Sequence, residues 1–167
     1  WDKIWINKGL EDTNNLNQLS GFNLHYEDSN ISLNHVNMII DNCKILKHDK
    51  ILEVGCGAGR LAKIFLERDY KYFGIEQSTS LVNKFKILID NDKVKLMDNN
   101  KIPFEDNSFD VVFCYSVVQY LKDINEFKFF LNEMKRVTKR IIFLGDLETI
   151  DTTKNMKDKY KYDTNDN

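Results

Sequence analysis

Glu53, Gly55, Gly57 and Gly59 stand at alternate positions in the run Ile51-Leu52-Glu53-Val54-Gly55-Cys56-Gly57-Ala58-Gly59-Arg60. Glycines at that spacing let bare backbone come against a bound molecule, because no Cβ stands in the way. A short β-branched apolar stretch precedes them, and Leu61, Ala62, Ile64, Phe65 and Leu66 follow at helical spacing. Strand, glycine turn and helix make the opening unit of a nucleotide-binding α/β fold. A dinucleotide site would want Gly-x-Gly-x-x-Gly, the third glycine allowing close helix–strand packing. Counting from Gly55, that third place holds the bulky Arg60. A nicotinamide-dependent oxidoreductase is therefore the disfavoured alternative.

Two further segments carry chemistry. Tyr72-Phe73-Gly74-Ile75-Glu76 is an apolar strand ending in a carboxylate. Nucleotide-binding sheets place such an acid roughly 20 residues beyond the glycines, where it accepts hydrogen bonds from ribose hydroxyls. A carboxylate suits the task because it only accepts and its hydrogen bonds are charge-assisted. The plainer reading of Glu76 is a solvated strand end, and the glycine motif upstream favours the ribose role. The second segment runs Val94-Lys95-Leu96-Met97-Asp98-Asn99 and on to Ile102-Pro103-Phe104, then Ser108-Phe109-Asp110-Val111-Val112-Phe113. Asp98 alone would fit an Asx-type turn after a strand.

Together the three segments, over about residues 51–146, resemble the class I S-adenosylmethionine-dependent methyltransferases, most closely their small-molecule members. The resemblance implies S-adenosylmethionine as cofactor and methyl transfer to a small-molecule acceptor by in-line displacement. It implies cofactor contacts at Glu53, Gly55, Cys56, Gly57 and Gly59 in the first motif and at Glu76 and Gln77 after the second strand. Asp98 would take the adenine amino group, the Asn99 backbone amide would meet the ring, and Cys114 would complete the set. Acceptor-side candidates are Tyr115, Ser116, Gln119 and Tyr120 after the fourth strand, Asp146 after the fifth, and Trp5, His25 and Tyr26 in the N-terminal segment. No residue is singled out as catalytic. A non-catalytic partner subunit that keeps the fold is the alternative from another class.

The elements that must position these residues follow from periodicity. Strands are expected at 50–54, 72–76, 94–97, 111–115 and 140–144. Helices are expected from Leu33 to about 46, and at 60–68, 78–89 and 123–137. Strands alternating with helices of this length imply a doubly wound, mostly parallel Rossmann-like sheet with helices on both faces; the resemblance gives the order 3-2-1-4-5. Residues 1–32 lack clear periodicity and are expected to form a lid or cap, 33–148 the cofactor-binding domain, and 149–167 a polar, mobile tail. The antiparallel strand pair that closes such sheets in the family is expected to be missing, as in a fragment.

The bulk numbers exclude other classes. The 167 residues, 42% hydrophobic and 30% charged, can bury one sizeable core. A net charge of −2 and a pI near 6.0 give no basic field for a polyanion, so no nucleic-acid partner is expected. No apolar run approaches the length of a membrane span, and no signal peptide is expected. Three cysteines, Cys43, Cys56 and Cys114, cannot all pair and lack metal-type spacing, which fits a reducing, cytoplasmic setting. Cys56 is read as a packing residue in preference to a reactive thiol. His25, His35 and His48 form no cluster, and no metal is expected.

Overall fold

The computed structural model describes residues 2–21, 30–98 and 101–147. Five strands, β1 (Lys50–Val54), β2 (Lys71–Glu76), β3 (Val94–Leu96), β4 (Phe109–Tyr115) and β5 (Thr138–Gly145), form one sheet in the order β3-β2-β1-β4-β5. Every pairing is parallel. The expected class and order are both present. Among the described residues six α-helices accompany the sheet: α1 (Asp2–Leu10), α2 (Leu16–Leu19), α3 (Ile31–Cys43), α4 (Arg60–Glu67), α5 (Thr79–Leu88) and α6 (Ile124–Val137).

Alternation along the strands builds the two layers. Ile51, Val111 and Phe113 face one side, where they meet Val36 and Ile39 of α3, Phe65 of α4 and Phe85 of α5. Leu52, Val54, Val112 and Cys114 face the other, against Phe130 and Met134 of α6. Each large side chain buried this way stabilises the fold by about 1.5–3 kcal/mol. The chain order reverses between β1 and β4, and open α/β sheets bind ligands at the carboxyl ends beside such a switch point.

Helix ends are specified locally. Ser78 caps α5 by accepting from Leu81 N, and Asp123 caps α6 by accepting from Asn125 N and Glu126 N. Gly59, at φ +95°, begins α4 directly out of the turn. Asp110 is structural: its carboxylate accepts the Lys50 amide at 2.8 Å and pairs with Lys139 at 3.5 Å.

The observed elements differ from expectation in places. β4 begins at Phe109 and β5 at Thr138, each two residues early, because Phe109 pairs with Thr138 before a bulge. Residues 2–21 hold α1 and α2, which composition alone did not reveal. The residues near His25 and Tyr26, and the tail expected to be mobile, lie outside the described residues.

Candidate functional site

A cavity of about 690 Å³ lies at the carboxyl ends of β1, β2 and β4. Glu53, Gly55, Cys56 and Gly57 form its base, Glu76 and Gln77 the β2 side, and Tyr115 and Ser116 the β4 side. Trp5, Ile6, Gly9 and Leu10 of α1 contribute an outer wall.

The glycine turn is tied to β2 by its backbone, since Gly55 N and Cys56 N both donate to Ile75 O, at 2.8 and 3.0 Å. Gly57, at φ +55°, has nothing within 4 Å of where a Cβ would be, so its bare face opens into space. Gly59 is different. A Cβ there would stand 2.7 Å from Ile89 and 2.9 Å from the Phe85 ring. Gly59 does not line the cavity; it lets α4 start against α5.

Glu76 is 9% exposed and already well supplied with donors. Its Oε2 accepts from Gly57 N at 2.9 Å, and its Oε1 accepts from Gln77 N and Ser78 N, each at 2.8 Å. A carboxylate offers about four acceptor positions. Three are taken, which leaves Oε2 capacity for one further donor from the cavity. Burial raises its pKa above the ordinary value against the pull of these amides. Glu53, 4% exposed, accepts a hydrogen bond from the Tyr72 hydroxyl. Burial pushes its pKa up to about 7, opposed by that bond and by Arg60, and assisted by Glu76.

Arg60 is buried at the start of α4, where it donates to Ser32 Oγ at 3.0 Å and lies 3.4 Å from His35 Nδ1. The His35 ring rests on Tyr115, centroids 4.6 Å apart. Burial first, and then Arg60, lower the His35 pKa. Beyond Tyr115, Ser116 donates to the Asp146 carboxylate, and both residues have left-handed backbones, at φ +58° and +56°. Two non-glycine residues held this way at adjacent strand ends mark a place where the surroundings dictate backbone shape.

α1 and the turn after it are held to α5 by polar bonds to their backbone. Ser78 Oγ donates to Trp5 O at 3.2 Å, Ser80 Oγ to Ile6 O at 2.8 Å, and Lys84 Nζ to Thr13 O at 2.9 Å. A Cβ on Gly9 would collide with Ser80 Oγ and lie 2.6 Å from Leu81 N. Trp5 meets the Tyr120 ring edge-on at 5.5 Å.

Of the residues singled out in the sequence, Glu53, Gly55, Cys56, Gly57, Glu76 and Gln77 come together on this cavity, and so do Trp5, Tyr115, Ser116 and Tyr120. Gly59, Asp98, Cys114, Gln119 and Asp146 are not among its lining residues. Asp98 is exposed and accepts from Lys101 N through its backbone. Cys114 is fully buried on the α6 side of the sheet. Asn99, His25 and Tyr26 lie outside the described residues. Sequence reasoning missed Met97, Ser78, Gly9 and Lys84 as cavity residues. Met97, directly before Asp98, had a signal in that adjacency; Gly9 had none.

Among the described residues no group of His, Cys, Asp and Glu could hold a metal ion, and no helix is long and apolar enough to cross a membrane. Residues 52–141 match a family described as a methyltransferase domain. An uncharacterized methyltransferase of Schizosaccharomyces pombe is 34% identical over 108 residues, 57% of this chain and 38% of its own length. A ubiquinone biosynthesis O-methyltransferase of Acinetobacter baylyi is 26% identical over 94 residues, 53% of this chain and 40% of its own. The chain thus spans about two fifths of these curated relatives. A SAM-dependent methyltransferase from Aquifex aeolicus shares the fold, with a TM-score of 0.56 and 24% identity over 71% of this chain and 65% of that one.

Proposed function

Because the chain belongs to the class I S-adenosylmethionine-dependent methyltransferase domains, whose cofactor is S-adenosylmethionine, we propose that it transfers a methyl group to a small-molecule acceptor. The observation that carries this reading is the convergence of Gly57, Glu53 and Glu76 on one cavity. The residues fit the cofactor on three counts. Gly57 leaves open the space that a Cβ would fill. Glu76 retains acceptor capacity for a ribose hydroxyl, and Glu53 supplies an anion near neutral pH for a positively charged group. Cys56, Met97 and Leu61 provide apolar surface.

When bound, S-adenosylmethionine supplies a methyl group on a positively charged sulfur, activated for in-line displacement. The chain's own task is then chiefly alignment, and positioning of this kind lowers a barrier by several kcal/mol. We assign Gly55, Gly57 and Gln77 to backbone support of the cofactor, Met97 to apolar contact with it, and Gly59 and Cys114 to packing behind it. Tyr115, Ser116 and Tyr120, on the β4 side of the cavity, face the acceptor, with Asp146 fixing Ser116. Helix α1 acts as a lid that excludes water. No base is assigned, since one is needed only if the acceptor loses a proton.

A small-molecule acceptor is supported by the cavity's size and by the absence of net positive charge. Three free, buried cysteines support a reducing, cytoplasmic setting. The test is transfer of labelled methyl from S-adenosylmethionine into metabolite extracts by the full gene product. Label in a low-molecular-weight product is the expected result. Cofactor binding with no transfer to any pool would favour the non-catalytic partner subunit instead.

A further inference from the structure

Tyr72 is completely buried, yet its hydroxyl is committed to a residue of the cavity base. It lies on β2 two residues before Gly74 and therefore on the same face of the sheet. Gly74 pairs in register with Glu53 of β1. The missing side chain at Gly74 leaves the room that Cys56 Sγ and the Tyr72 hydroxyl occupy; a Cβ there would stand 2.6 and 3.2 Å from them. Phe65 stacks on the Tyr72 ring, 5.7 Å between centroids and 21° between planes, which holds the ring in place. Phenylalanine would fill the same space without burying a hydroxyl, and a buried hydroxyl is costly unless it is bonded. What the hydroxyl adds is its bond to Glu53, beside a contact with the Cys56 thiol.

We propose that Tyr72 is a positioning residue for the cofactor: its hydroxyl fixes the Glu53 carboxylate in the cavity base in the ionised form that a positively charged ligand requires, so that the pair sets how cofactor affinity depends on pH. This rests on the methyltransferase reading above. The charged and titratable groups facing Glu53 are Tyr72 and Glu76 from β2, Cys56 from the turn, Arg60 from α4 and Cys114 from β4. His35 of α3 reaches it through Arg60. Tyr72 and Arg60 favour the carboxylate, whereas burial and Glu76 oppose it. Acidification through neutrality protonates Glu53 and removes the anion. Deleting the Tyr72 hydroxyl removes one stabiliser of the charged form, so the loss should begin at higher pH.

The experiment is calorimetric titration of the protein with S-adenosylmethionine and with uncharged adenosine between pH 5.5 and 8.5, using wild type, Tyr72→Phe and Glu53→Gln. Wild-type affinity for S-adenosylmethionine should fall by up to about tenfold per pH unit below the Glu53 midpoint. Tyr72→Phe should match wild type within about threefold at pH 8.5 and lose affinity from about one pH unit higher. Variants are compared at the same pH, so the ligand's own titration cancels. Adenosine should bind all three proteins with no such difference between them. Glu53→Gln should bind S-adenosylmethionine weakly and without the midpoint, which keeps the test available if Tyr72→Phe folds poorly. Superimposed profiles for wild type and Tyr72→Phe, or the same shift with adenosine, would overturn the inference and leave the methyltransferase reading standing. Absence of S-adenosylmethionine binding by wild type at every pH would overturn both.

Discussion

Gly57 and Gly59 stand two residues apart and serve opposite partners. Gly57 faces open cavity, while Gly59 faces Ile89 and Phe85. Gly57→Ala should therefore weaken S-adenosylmethionine binding tenfold or more with little change in melting temperature beyond the backbone cost. Gly59→Ala should destabilise the fold by about 1–3 kcal/mol through overpacking, read by urea unfolding. The spacing of the glycines was legible in the sequence, but this division of labour depends on where α5 lies. Glu76 holds a similar surprise. Its place after the second strand was readable, whereas its three amide partners come from β1–β2 register and a turn. Glu76→Gln should lower both melting temperature and cofactor affinity, the latter by about 1.5–3 kcal/mol for a charged hydrogen bond. Glu53 acts on stability with a definite sign. Its folded pKa, about 7, lies above the ordinary carboxylate value, so the folded state holds an extra proton between the two. That contribution is full below about pH 4.5 and is lost as pH rises through 7. Glu53→Gln should consequently raise cofactor-free stability at pH 8, by up to about 3 kcal/mol, while weakening cofactor binding. Urea unfolding at pH 5 and pH 8 checks it.

At the scale of elements, α1 depends on α5 rather than on its own sequence. It has little apolar face of its own, and Ile4, Ile6 and Leu10 remain exposed. Its hold comes from Ser78 and Ser80 bonding to its backbone and Lys84 to Thr13 beyond it, which a search for periodicity cannot see. Gly9 permits that approach. Gly9→Val should dislodge α1, speed proteolysis near residues 10–15 and raise the cofactor dissociation rate. Unchanged proteolysis and dissociation would show that α1 is no lid. By contrast, β1, α4 and α6 were readable because apolar periodicity, a glycine turn and a capping Asp123 agree with one another. The early starts of β4 and β5 were not readable, since they rest on pairing between Phe109 and Thr138 across the sheet.

For the whole molecule, the order β3-β2-β1-β4-β5 brings residues from 5 to 130 onto one cavity at one edge of the sheet. The topology sets the carboxylate-bearing ends of β1 and β2, Glu53 and Glu76, side by side and gives the β4 side aromatic and hydroxyl groups. Under the proposed function, that division sets the donor on one flank and the acceptor on the other. The glycine turn and Glu76 were legible because their motifs are short and local. Tyr115, Ser116 and Tyr120 were named on the β4 side, but the seating of His35 on Tyr115 and of Arg60 beside His35 was not readable, because these meet only through the crossing of α3, α4 and β4. The most direct measurement is a crystal structure of the protein with S-adenosylhomocysteine. The expected density lies against Gly57, with a ribose hydroxyl on Glu76 Oε2 and the amino-acid end above Glu53. Density elsewhere, or a cavity that stays closed to the ligand at millimolar concentration, would contradict the account.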